Sequence, residues 1–550
     1  MVTKFSSYKL NIYSLLLGAL ALLSGIIVGL ITAIASGYSG DLAILLALCA
    51  LLSVLMLGLL YRFRLLDSDA LRIYTQAQRT KKRQRATSLT STRTNAPPYS
   101  QIYAQMRHSS LMRQLEAKPG WLEWCLLLLI FLTYTRFSDV LIHSHGLPSI
   151  AQPLVLLLLA VVAFRGLLAK SKRVRRPFGS TWITASILLA SYGLVRFASL
   201  LYVADFAPAQ EALGDYVKDA IIAVIVVLVL QRAAMLRRAI WALLVAGLFL
   251  GTISTIQFLT GSFDNTFWGF GQAQVQHIIG TTEDFRIGGP IGEPNFYSQI
   301  LLPLVALAFE RMCNGRTLTR RVVAGWAFVV CLLAIVFTFS RGALVGLAAM
   351  IGMMMILRPP RPQELLLALL LFLPILPFVP TQYIERVTTL VDVLPGMNND
   401  PRSEVSFRGR TSELIAGLMM FRDNPIFGVG VNNYPIHYQD YARRIGLETR
   451  REPRAPHSLY LEILAELGFF GVLTFGALLW HLFHGIYLAR KRFRRYRLLE
   501  YANLTTALGV GLIGYLSAAL FLHAAYPRFL WLLVGIGLAI PQFKIRDFRF

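Results

Sequence analysis

The sequence predicts an all-α polytopic membrane protein, and three observations predict it. Of its 550 residues, 55% are hydrophobic and only 15% are charged, against roughly 25% charged in a soluble domain. Mean hydropathy is +0.56. Several apolar runs exceed about 18 residues, the length that crosses a hydrocarbon core about 30 Å thick. The same hydrophobicity excludes a disordered chain.

A net charge of +25 would suggest nucleic acid in a soluble protein. In a membrane protein it reflects Lys and Arg collected in cytoplasmic loops, so no nucleic-acid partner is expected. Cys49, Cys125, Cys313 and Cys331 lie in or beside apolar runs without metal-ligand spacing, and they read as packing residues.

The first apolar run, 10–36, follows Lys4 and Lys9 and ends near Ala33-Ile34-Ala35, like a signal peptide. A signal core is only about 7–15 residues long, so this run is expected to stay as a helix. About fourteen runs reach spanning length: 10–36, 41–61, 121–137, 150–168, 180–202, 217–232, 239–259, 296–311, 321–339, 342–357, 364–380, 458–484, 503–523 and 526–541. Loop charge supports the count. Segment 62–120 carries twelve Lys/Arg against three acids, 169–178 five basic residues, 232–238 three, 311–321 four, and 485–502 six against one Glu. Lys544, Arg546 and Arg549 add to the C-terminal tail. The alternate loop 203–216 holds Asp205, Glu211 and Asp215 and no basic residue. This alternation predicts that both termini are cytoplasmic.

The expected organisation follows from that topology. Residues 1–62 form two N-terminal transmembrane helices, and 63–120 a basic cytoplasmic insert suited to anionic lipid or to flexibility. Residues 121–380 hold helices three to eleven, 381–457 a large external loop, and 458–550 the last three helices and the tail. The external loop contains ten Arg, nine acids and no Lys. Loops of that length are usually functional or disordered, and its aromatic and helix-forming stretches favour function.

Three chemical signals are set aside. Asp67-Ser68-Asp69 has metal–nucleotide spacing but no α/β fold around it. Gly428-Val429-Gly430 lacks the strand-turn-helix context of a dinucleotide site and reads as a tight turn after Asn424-Pro425. His143 and His145 have no third ligand. No metal site is expected.

The stronger constellation is distributed over the external side. Arg286 precedes the eighth helix in Arg286-Ile287-Gly288-Gly289-Pro290-Ile291-Gly292-Glu293-Pro294-Asn295. Arg341 lies in the almost loopless turn Thr338-Phe339-Ser340-Arg341-Gly342, where a rim charge is costly and marks function. Arg410, in Arg408-Gly409-Arg410-Thr411, opens an expected amphipathic helix carrying Leu414, Ile415, Leu418 and Met419. Arg386 follows the eleventh span. His457 opens the twelfth in Pro456-His457-Ser458. Singly, such arginines are interfacial anchors or partners of loop acids. Together, their planar donors and permanent charge suit a diphosphate whose lipid tail stays in the bilayer. Imidazole titrates near neutrality, which suits a general base.

At these residues the chain resembles the O-antigen ligase/polymerase family of bacterial membrane glycosyltransferases. His457-Ser458, nine residues, Gly468, two residues and Gly471 resemble the His-(Asn/Ser/Gln)-x9-Gly-x-x-Gly pattern after that family's large periplasmic loop. The Gly-x-Glu-Pro-Asn segment, the Ser340-Arg341-Gly342 turn, Arg410 and the Asn424-Pro425…Gly428-Val429-Gly430 turn follow the family's order. The resemblance spans roughly residues 180–540; the first two helices and the basic insert lie outside it.

The resemblance implies a GT-C-type fold in the bacterial inner membrane with a site facing the periplasm. It implies metal- and cofactor-independent transfer of a glycan from a polyprenyl (undecaprenyl) diphosphate to a glycan or glycolipid acceptor hydroxyl, in O-antigen or exopolysaccharide biosynthesis. His457 would be the base and Arg410 would act with it. Arg286, Arg341 and Arg386 would bind the diphosphate, and Glu293 is an alternative base whose bland role is a cap or an ion pair. Ligase, polymerase and protein-glycosylating roles differ in the acceptor. A lipid-linked glycan flippase is the rival from another class, but it calls for charges along a central path, whereas these gather at the outer ends. A scaffold for polysaccharide export would leave the arginines unexplained.

Overall fold

The computed structural model describes residues 119–171, 181–276, 284–372, 401–446, 454–523 and 525–543. The expected spans 10–36 and 41–61, the basic insert and Arg386 lie outside the described residues. Among the described residues the chain is helical apart from short connections and one two-stranded hairpin. The elements are α1 (Trp121–Tyr134), α2 (Phe137–His145), α3 (Ala151–Ser171), α4 (Thr181–Ser199), α5 (Phe206–Val229) and α6 (Ala233–Leu259). After them come β1 (Gln272–Gln276), β2 (Asp284–Gly289), α7 (Pro294–Asn314), α8 (Leu318–Val336), α9 (Arg341–Leu357) and α10 (Pro362–Phe372). The last are α11 (Pro401–Asp423), α12 (Tyr434–Ile445), α13 (Leu459–Arg495), α14 (Leu499–Ala518) and α15 (Pro527–Ala539).

Five of the described helices are long and apolar enough to cross a membrane, or six if the α1–α2 pair, bent by 54°, is one span. Several boundaries differ from expectation. Asp205 caps α5 by accepting from the Ala207 N–H at 3.1 Å, so most of the expected loop 203–216 is helix. The expected loop 381–457 contains α11 and α12. Helix α11 starts at Pro401, whose fixed φ suits a first turn, so Arg410 lies within the helix rather than at its start. The hairpin is an addition to the all-α expectation, with Arg286 paired to Gln274.

Helix α7 is the core of the bundle, almost wholly buried and packed against α8, α9 and α14. Helices α9 and α14 cross at Gly346 and Gly514, where a Cβ on Gly346 would stand 2.8 Å from the Gly514 carbonyl oxygen. At one end of the bundle Glu500 binds Arg311 at 2.9 Å, Arg316 at 2.8 Å and Arg237 at 3.6 Å. There too Arg232 pairs with Glu123, and Arg358 with Glu364 at 2.8 Å. The loops that charge alternation assigns to one side thus meet at one pole.

The opposite pole rests on a break in α13. Gly468 has φ 58° and ψ −151°, a region open essentially to glycine alone. The break frees backbone groups that the 425–434 turn takes up. The N–H groups of Val429 and Gly430 donate to the carbonyls of Ala465 and Glu466, both at 2.9 Å, and that of Phe469 donates to the Pro425 carbonyl at 2.9 Å. The buried Glu466 carboxylate accepts from the N–H of Asn432 at 2.7 Å and of Tyr434 at 3.2 Å. From there Tyr434, Tyr438 and Tyr441 pack α12 on α11, against Ala416 and Met420. The face of α11 turned inward carries Ser412, Glu413, Ala416 and Met420, and the expected apolar residues Leu414 and Leu418 are exposed.

A Cβ at position 468 would need a backbone angle that costs about 1–3 kcal/mol and would lie 2.7 Å from the Ile426 carbonyl. Gly468→Ala should lower the thermal unfolding midpoint of the purified protein in detergent. Gly476→Ala, with nothing within 4 Å of the new methyl, should leave it unchanged or raise it.

Candidate functional site

His457 stands one residue before the cap of α13, where the Ser458 hydroxyl accepts from the Leu461 N–H at 3.4 Å. Its Nδ1 lies 2.6 Å from Glu413 Oε2. Glu413 is 2% exposed while the His457 side chain is 44% exposed. With Glu413 as a carboxylate, Nδ1 carries the proton and Nε2 is the basic nitrogen. The other carboxylate oxygen accepts from Arg454 Nη1 at 3.1 Å. The Tyr434 hydroxyl donates to the Glu413 backbone carbonyl at 2.5 Å, so the 425–434 turn fixes the residue that orients His457.

The N-terminus of α13 is tied to the turn after α14. The Leu459 N–H donates to the Ala519 carbonyl at 3.0 Å, and the Tyr460 hydroxyl to that of Leu516 at 2.9 Å. That turn brings His523 to His457, with ring centroids 6.3 Å apart at 79°. His523 also meets Phe296 edge-on at 5.2 Å, next to Asn295. Burial first, and His457 second, push the His523 imidazole down to about 4, so it is neutral at neutral pH.

Arg286 is 1% exposed. Its Nε donates to the Thr338 carbonyl at 2.8 Å and its Nη2 to Asn295 Oδ1 at 3.0 Å. The Ile287 N–H also donates to the Phe337 carbonyl at 3.1 Å, so β2 is stapled to the turn that carries Arg341. Burial lowers the Arg286 guanidinium to about 10, with Glu293 opposing that shift and the positive charges of Arg341 and Arg410 adding to it. Three arginines scattered along the sequence therefore lie within electrostatic reach of one another.

Arg341 is the first residue of α9, behind the cap Ser340. Its Nε is buried with no hydrogen-bond partner, and an unmade bond there is costly. Arg410 projects into the open. Neither makes a hydrogen bond or an ion pair among the described residues. Glu293 is engaged: it caps α7 by accepting from the Phe296 N–H at 2.8 Å, and its other oxygen accepts from Asn295 Nδ2 at 2.7 Å. It reaches Arg286 through Asn295 rather than by direct pairing.

Residues 326–476 match the family model described as O-antigen ligase. Over these residues the chain is similar to the O-antigen ligase family. This match includes Arg341, Arg410, Glu413, His457 and the glycine break, and it bears out the resemblance read from the motifs. With the apolar helices it supports a multi-pass membrane protein with a role in glycan transfer. No curated protein matches the chain. The ligase-domain match ends before His523, and Arg286 and Glu293 precede it.

Glu413 and His523 were not picked out from the sequence. Glu413 is one of nine acids in the 381–457 segment, and only its position three residues after Arg410, on the same helix, could have signalled it. His523 falls at the end of an apolar run where nothing in the local pattern distinguishes it.

A histidine whose folded pKa lies below its usual 6.5 binds fewer protons folded than unfolded between about 4 and 6.5. Stability should then fall with pH across that window, by up to about 3 kcal/mol from this group. Thermal melts of wild type and His523→Gln from pH 7 to 4 should show a smaller acid loss in the variant.

Proposed function

We propose that the domain transfers a glycan from a polyprenyl diphosphate carrier to a hydroxyl of an acceptor sugar, at the external face of the bacterial inner membrane, without a metal. The observation that carries this is the convergence of an oriented imidazole with a group of arginines, two of which make no hydrogen bond or ion pair among the described residues. Nε2 of His457 takes the proton of the acceptor hydroxyl as its oxygen attacks the anomeric carbon. Glu413, bonded to Nδ1, holds the ring and stabilises the imidazolium that forms. The bond from the anomeric carbon to the diphosphate breaks, and its electron pair leaves with the phosphate oxygen. Arg341 and Arg410 donate to that diphosphate, and buried Arg286 adds fixed positive charge beneath them. Charge held in place before the reaction stabilises the leaving group without reorganisation. Arg386 is assigned to the same anion by its place after the eleventh span.

His457 rather than Glu293 is the base, because both Glu293 oxygens are occupied at the start of α7. The break in α13 is a feature that transporters also use, but here the freed backbone groups are taken by the 425–434 turn. The helical bundle fits a GT-C-type enzyme. Acceptor choice separates a ligase, which uses a lipid-anchored core sugar, from a polymerase, which extends the growing glycan.

In lipid nanodiscs with a polyprenyl-diphosphate oligosaccharide, EDTA and a panel of acceptor glycolipids, wild-type protein should transfer sugar. His457→Ala and Arg410→Ala should each reduce kcat at least ~100-fold, and Glu413→Gln should reduce it by a smaller factor. Absence of transfer to every acceptor, together with movement of the intact lipid across liposomes, would establish a flippase instead.

A further inference from the structure

His523 sits in the same site and has no assigned part in it. The turn that carries it is bound to the His457 end of α13 through the Leu459–Ala519 hydrogen bond. It also touches the Arg341 end of α9, where a Cβ on Gly342 would stand 3.5 Å from Phe521. The turn that carries His523 therefore bridges the His457 end of α13 and the Arg341 end of α9, with the His523 ring itself against His457 and Phe296. Its Nδ1 is buried without a partner, while the ring as a whole is only partly buried, so Nε2 lies on the accessible side. A buried N–H without an acceptor is rarer in proteins than an acceptor left unused. The proton therefore belongs on Nε2, which gives a neutral donor facing the site.

We infer that the Nε2–H of His523 donates a hydrogen bond to an oxygen of the diphosphate group, beside Arg341. This rests on the glycan-transfer function proposed above and names a further substrate-binding residue for it. The diphosphate is the fitting partner because it accepts hydrogen bonds and donates none, and the side chains around it are donors. Neutrality also matters chemically. A cation at this position would oppose the positive charge that His457 gains on taking the hydroxyl proton, whereas a neutral N–H supports the leaving oxygen without that cost. Burial of His523 keeps it neutral across the working range.

The experiment uses the full chain in nanodiscs and farnesyl diphosphate as the probe, with farnesol as the tail-only control, read by calorimetric titration at pH 7.5. His523→Phe keeps the ring contacts with Phe296 and removes the donor; His523→Gln offers a neutral N–H close to the position of Nε2. His523→Phe should weaken farnesyl diphosphate at least about tenfold, the scale of one hydrogen bond to a charged group. His523→Gln should recover most of that loss, and farnesol binding should be equal in all three proteins. Equal diphosphate affinity in wild type and His523→Phe would overturn the inference. So would equal weakening in both variants, which is a structural effect, or no binding by wild type. Glycan transfer by wild type is scored separately. Its absence with His523-dependent binding retained sinks the transfer function alone, and its presence with His523→Phe at wild-type kcat/KM sinks the His523 contact alone.

Discussion

The His457 pole depends on one arrangement: a long apolar helix that stops being helical at Gly468 and gives its backbone groups to a turn. A helix in lipid must satisfy its own N–H and C=O groups, so a break is tolerated only where other groups replace the lost bonds. Here the 425–434 turn does so, through three backbone hydrogen bonds at 2.9 Å and the buried carboxylate of Glu466. Gly428 and Gly468 face each other at this contact, and a side chain on either would strike the backbone of the other's segment. The His-Ser-x9-Gly-x-x-Gly spacing thereby has a physical meaning. It sets the distance between His457 at the helix mouth and the break that docks the turn holding its partner Glu413.

From that docking the order runs outward. The turn leads into α12, whose tyrosines clamp α11, and the Tyr434 hydroxyl bonds the backbone of Glu413. Glu413 then bonds His457, one residue before the helix that contains the break. The path leaves α13 and returns to its own N-terminus, so the orientation of His457 is locked by a closed loop of contacts. Shape on the other flank is set by Arg286, which holds β2 to the Thr338 carbonyl and so fixes where Arg341 starts α9. Arg286 spends its donors on the protein; Arg341 and Arg410 keep theirs. One buried arginine positions and charges the site while two others remain able to bind an anion.

The two poles use charge differently. At the Glu500 end, arginines are neutralised by acids in close pairs, which is what structural anchoring requires. At the His457 end, Arg341 and Arg410 lack such partners among the described residues. There the positive charges of Arg286, Arg341 and Arg410 act on one another instead, which costs free energy.

Composition and spacing by themselves determined the membrane class and the predominantly helical fold, and they singled out His457, Arg286, Arg341 and Arg410 as residues to look for. Those properties follow from hydropathy, loop charge and residue chemistry, which are local and additive along the chain. The tertiary structure decided the rest. Helix α11 begins before Arg410, because alternating charges that suggest a loop are equally compatible with a solvated helix face. Leu414 and Leu418 are exposed while Ala416 and Met420 pack on the tyrosines, so the tertiary contact decided which face of α11 turns inward. Glu293 is a cap, Glu413 is the partner of His457, and His523 belongs to the site. The cap is local, onto Phe296, but the other two contacts join residues from separate elements, and no local pattern encodes which distant side chain a group will meet.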